Sequence, residues 1–148
     1  MGEDDNKKGS SDDDKLISSY DTILKESAIL TTFSGILFGF LLQISINSPH
    51  SFDFFNKLLI LISLYSITIA TSLFIMPVIY HHLQYPYKDI QKFKLRSHKF
   101  TLFGLLHVGI TLYIGLTISV STVFHTNFSW ILAAIPFILV FIYFIFRK

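Results

Sequence analysis

The stretch FTLFGLLHVGITLYIGLTISVSTVFHTNFSWILAAIPFILVFIYFIF, residues 100–146, runs for 47 positions without one Asp, Glu, Lys or Arg. A helix rises about 1.5 Å per residue, so about 20 residues cross a hydrocarbon core of about 30 Å. The stretch is too long for one crossing and right for two. Its natural break is VSTVFHTNFSW (120–130), where polar residues gather at His125–Ser129. This predicts a helix over 100–120 and another over 130–146. Trp130 marks the water interface at one end of the last helix, and Tyr143, Arg147 and Lys148 mark the other.

Two further charge-free stretches precede it, 27–52 and 58–87, of 26 and 30 residues. They predict helices over about 27–46 (SAILTTFSGILFGFLLQISI) and 57–80 (KLLILISLYSITIATSLFIMPVIY), with Pro77 near the end of the second. Only 15% of the 148 residues are charged, against about 25% in an ordinary soluble domain. A soluble helix must also turn one face to water. Strands of a membrane barrel would alternate over about ten residues, and no segment does so. The fold class is therefore all-α: a polytopic membrane protein with four transmembrane helices in a compact antiparallel bundle. Residues 1–16 read as a disordered polar tail ahead of it and 17–26 as a short amphipathic lead-in. A cleaved signal peptide fits less well, because the first apolar segment is long and no Ala-x-Ala follows it. Met1-Gly2 lacks the Ser or Thr at position six that myristoylation prefers.

Four crossings put both termini on one side. With that side cytoplasmic, 11 of the 12 Lys and Arg residues are inside, leaving only Lys57 at the other face. The positive-inside bias thus predicts cytoplasmic N- and C-termini in a cell membrane. The basic run 88–99 (Lys88, Lys92, Lys94, Arg96, Lys99) sets this topology, and it also suits anionic lipid headgroups. It could form an interfacial helix continuous with the third span. Nucleic-acid binding would need a folded soluble reader, which is missing.

Between helices in lipid, small residues and close contact decide the interfaces. Ser27, Thr31, Gly35, Gly39 and Gln43 form a four-residue-spaced ridge on the first helix, and His107, Thr111, Gly115 and Ser119 a similar one on the third. These ridges predict either a close approach of helices one and three or the pairing of two copies.

A few polar positions stand out. His107 lies within the third span, where an imidazole serves as proton relay or ligand, or bonds to a Ser or Thr on a neighbouring helix. Gln43 invites the same two readings. Glu26, His81, His82 and His98 fall at one predicted membrane depth. A carboxylate with imidazoles there can hold zinc or pass protons, or simply anchor the interface. His81 and His82 are adjacent on a helix and diverge, so the expectation is no metal site. The chain has no Cys, phosphate-binding loop, zinc-protease motif, nucleophile elbow or intramembrane acid pair. The expectation is a protein without cofactor and without enzymatic activity. It would act as a scaffold or accessory subunit beside a membrane-protein partner or a second copy. The alternative is a small oligomeric ion channel or proton-linked transporter.

Two segments together resemble a known pattern. KESAILTTFSGILFGFLL (25–42) carries Glu26, Thr32 and the run Ile36-Leu37-Phe38-Gly39-Phe40-Leu41-Leu42; MPVIYHH (76–82) carries Pro77, Val78, Tyr80 and His81. The chain resembles an uncharacterised family of small prokaryotic four-helix membrane proteins, domain of unknown function family 6328, over about residues 20–148. At position 35 that family often has Gln where this chain has Gly, and His82 stands in place of its usual Arg. The resemblance implies topology rather than activity, and it singles out Glu26, Tyr80 and His81.

Overall fold

The computed structural model describes residues 3–50, 52–84, 90–124 and 128–147, with side chains described over 21–50, 52–83, 92–124 and 128–147. Its four helices are α1 (Glu3–Ile46), α2 (Phe54–Gln84), α3 (Ile90–Phe124) and α4 (Ser129–Phe146), with no strand among the described residues. Each contains a segment long and apolar enough to cross a membrane, of 26, 30, 33 and 18 residues in chain order. α1 is bounded by Glu3 and Ile46 and so includes polar sequence ahead of the first span. Residues 3–26 hold no proline and a single glycine, so no breaker stops the helix from extending through them. Asp21 and Lys25, one turn apart, form an ion pair of 2.6 Å along this polar part of α1. α3 likewise starts ten residues before the charge-free stretch, which joins the basic residues 92–99 to the third span. Tyr85, Tyr87, Lys88 and the expected break at His125–Asn127 lie outside the described residues.

α2 is the centre. It packs against both α1 and α3, while α4 rests on α3. Small and hydroxylated residues occupy the contacts. Ser27 and Ser34 of α1, Ser63, Ser66 and Ala70 of α2, and Ser97, Thr101, Thr111 and Thr117 of α3 are all buried. Long apolar side chains point the other way: Ile29 and Phe40, Leu61 and Tyr65, Leu102 and Leu106, Phe141 and Phe144 are exposed. This reverses the pattern of a water-soluble bundle. It is the arrangement expected where the surroundings are as apolar as leucine and close backbone approach drives association. The apolar core proper is small: Ile67, Ala70, Phe74 and Val108, covered by Leu30, Leu37, Phe38 and Leu41 of α1.

The expected meeting of α1 and α3 through their small ridges does not occur, because α1 seats its face on α2. Gly35, Gly39 and Gly115 have no atom within 4 Å of a would-be Cβ. The reason is geometric. A four-residue step turns about 40° past a full helical turn, so a strict i+4 ridge winds around the helix. Ser27 is buried, Thr31 is half-buried, and Gly35, Gly39 and Gln43 are exposed. A seven-residue step drifts only about 20°. Ser27, Ser34 and half-buried Leu41 therefore stay on the inner face, as do Ser97, Gly104 and Thr111 on α3.

At one end Asp53 accepts the backbone N–H of Asn56 at 2.8 Å and so caps α2. At that same end α4 is fastened by aromatic contacts. The Tyr113 hydroxyl donates to the Trp130 carbonyl (3.1 Å), and Trp130 and Phe137 meet the Tyr113 ring at 6.0 and 5.8 Å.

The tightest approach is at Gly104. A Cβ there would lie 2.8 Å from both Cδ1 and Cζ of Phe74, whose ring is fully buried and has no room to swing aside. Gly104→Ala should cost about 1–3 kcal/mol, the usual penalty of overpacking. The check is the unfolding midpoint in a detergent titration, with Phe74→Leu in the same background recovering part of the loss. An unchanged midpoint would refute the close contact.

Candidate functional site

The polar positions gather in three places. Within the α2–α3 seam, the Ser66 hydroxyl lies 3.0 Å from the His107 carbonyl and 3.1 Å from His107 Nδ1. One hydroxyl has one hydrogen to give. Both contacts are satisfied when Ser66 donates to the carbonyl and His107 donates Nδ1–H to Ser66; the tautomer is assigned from this pattern. Thr111 Oγ1 also donates to the His107 carbonyl (3.0 Å) and lies 3.4 Å from that of Ser63. Of the two readings open to His107, the structure provides the partner required by the second: a hydroxyl on the neighbouring helix.

At the basic end of the same seam, Tyr80 of α2 stacks on buried Phe93 of α3, with centroids 5.8 Å apart. The Arg96 guanidinium sits 5.5 Å from the Tyr80 ring centre, and one of its nitrogens donates to the Tyr80 hydroxyl. Cation–π attraction and the hydrogen bond together clamp the end of α2 to the start of α3. In the sequence, Phe93 and Arg96 are legible only as members of the basic run, with nothing to pair them with Tyr80.

The third place is a cleft of about 460 Å³ between α1 and α3. Ile23 and Glu26 line it from α1; Lys94, Leu95, Ser97, His98 and Thr101 line it from α3. It thus brings together Glu26 and His98 of the four residues expected at one depth. His81 and His82 stay on α2, their rings 5.5 Å apart, and do not line it. Adjacent helical residues point about 100° apart, which is why they cannot converge. Among the described residues no three His, Asp or Glu side chains lie close enough to share a metal ion. A signal for the missed lining residues is present: 94, 97, 98 and 101 fall at i, i+3, i+4 and i+7, and 23 and 26 at i, i+3, each set on one helical face.

The remaining positions lie outside these sites. Gln43 is exposed beside Gly39 on the outer face of α1. Ser119 is exposed and donates to the Gly115 carbonyl four residues back (2.9 Å). Thr32, Thr68, Ser72 and Thr122 satisfy their hydroxyls on their own helices in the same way.

The family model described as Family of unknown function (DUF6328) matches residues 10–147, nearly the whole chain. The chain belongs to this family. No curated protein and no solved structure matches it. Membership of DUF6328 covers all four helices and both resembling segments, and it assigns no activity to Glu26, Tyr80 or His81.

The Ser66–His107 pair is open to a double-mutant cycle with Ser66→Ala and His107→Leu. Interhelical hydrogen bonds in apolar surroundings contribute about 0.5–2 kcal/mol. A coupling energy in that range is expected from unfolding midpoints, and zero coupling would show that the two side chains act separately.

Proposed function

We propose that the protein is a non-enzymatic integral membrane protein, a scaffold or accessory subunit that associates through the outer face of α1. The observation that carries this is the exposed strip Gly35, Gly39 and Gln43. Two glycines offer a shallow groove to a partner backbone. Gln43 adds a reason for cover. Its amide carries two donors and two lone pairs, more than one carbonyl on its own helix can satisfy, whereas the exposed Ser and Thr side chains manage with one. A partner helix, from another protein or a second copy, would supply both packing and hydrogen bonds.

The orientation belongs to the same reading. The end bearing Glu26, Arg96 and the termini is cytoplasmic, since 11 of 12 basic residues fall there. The chain has no native cysteine, so single-cysteine reporters give a clean test. A cysteine at Ser48 should react with an impermeant maleimide added outside intact cells, and one at Lys148 should react only after permeabilisation. The reverse pattern would invert the topology. The channel alternative, motivated by His107, Gln43 and the inner histidines, has weaker support, because the His107 imidazole is already engaged with Ser66.

The association face has a direct test. Leucine at positions 35 and 39 meets open space within the chain itself, so Gly35→Leu with Gly39→Leu should leave the fold intact. After mild extraction, native electrophoresis should show the wild type in a complex above monomer mass and the double variant as a monomer. A wild type that extracts alone and monomeric, or a variant that stays in the complex, would overturn the proposal.

A further inference from the structure

We infer that the cleft between α1 and α3 binds a phosphate ester carrying a primary ammonium group, the chemistry of a phosphoethanolamine headgroup. Three observations lead there, none of them on the association face of α1.

The first is depth. Glu26 is the last charged residue before the charge-free stretch 27–52, and Lys94 and His98 come just ahead of the stretch 100–146. The cleft therefore straddles, on both helices, the boundary between charge-bearing and membrane-length apolar sequence. That boundary is where lipid headgroups lie.

The second is charge. Glu26 and Lys94 line one cavity with opposite signs, beside the imidazole of His98. A ligand with phosphate alone would face the carboxylate, and one with ammonium alone would face the lysine. A ligand carrying both groups is matched at both poles: phosphate to Lys94, His98 and the hydroxyls of Ser97 and Thr101, and ammonium to Glu26. Ser97 and Thr101 are buried residues that still line the cleft, so polar groups reach its deep side.

The third is the remaining lining and the size. Ile23 and Leu95 add an apolar part suited to glycerol and the first acyl carbons. The volume of about 460 Å³ falls in the usual range for small-molecule sites, about 300–1,000 Å³.

The full-length protein would be reconstituted in nanodiscs of phosphatidylcholine doped with phosphatidylethanolamine or phosphatidylglycerol, and retained lipids read by native mass spectrometry. Phosphatidylcholine has no N–H to donate to a carboxylate, and phosphatidylglycerol has no cation. Enrichment of phosphatidylethanolamine over both should reach about tenfold, the worth of one charge-assisted hydrogen bond. Glu26→Gln, a conservative change at an exposed residue, should abolish the preference over phosphatidylcholine. Lys94→Gln should lower retention of both phosphatidylethanolamine and phosphatidylglycerol. Helix content by circular dichroism should be unchanged in both variants. Soluble glycerophosphoethanolamine distinguishes the sources: competition at equal concentration marks a free ligand, and no competition marks a lipid-borne one. Equal retention of the three lipids, or a preference unaffected by Glu26→Gln, would overturn the inference.

Discussion

The structure depends on the fit between α2 and α3. Where the surroundings offer neither water nor a hydrophobic drive between helices, two helices hold together only if their backbones come close and their polar groups find each other. Gly104 gives the closeness by leaving space for the Phe74 ring. Ser66 gives the polar closure by donating across the seam to the His107 carbonyl, and Thr111 Oγ1 adds a longer contact of 3.4 Å to the Ser63 carbonyl. Tyr80, Phe93 and Arg96 complete the seam at its basic end. Three buried hydroxyls, of Ser27, Ser34 and Ser63, have no hydrogen-bond partner among the described residues, and each side chain is almost fully enclosed, so a larger one would have to displace its neighbours. Serine serves there through its small size.

The helices outside this seam are held less tightly. α1 covers α2 with Leu30, Leu37 and Leu41 and leaves its glycine face open. α4 buries only Ser129 and Ala133 among its described residues and owes its place to aromatic contacts near one end. A central pair with two lightly covered flanks suits a protein whose outer faces meet other chains. It suits an enclosed pore less, since the His107 imidazole is part of the seam.

Much of this is legible in the sequence, and the limits have physical causes. Charge-free length yields four helices because the cost of placing a charge in hydrocarbon is large and local. It cannot yield their ends: α2 begins four residues and α3 ten residues ahead of the charge-free stretches as ordinary helix, since sequence with no breaker there lets the helix start earlier. Even Pro77 lies inside α2 rather than ending it. The glycine ridge misleads for a different reason. Spacing by four looks like a stripe in sequence but winds around a helix of 3.6 residues per turn, so Ser27 and Gln43 cannot both face one neighbour. The seven-spaced serines are the better guide. Gly104 escapes notice because a glycine matters through what faces it, and Phe74 is 30 positions away.

The same geometry accounts for the cleft. α1 and α3 both lie against α2 and touch each other little, so a wedge opens between them. At the basic end the residues change character: Ile23 and Leu95 are joined by Glu26, Lys94 and His98. Where the spans end, a gap between helices meets polar surroundings. The residues at that point carry both signs of charge, so the gap between two helices that touch little becomes a chemically defined cleft.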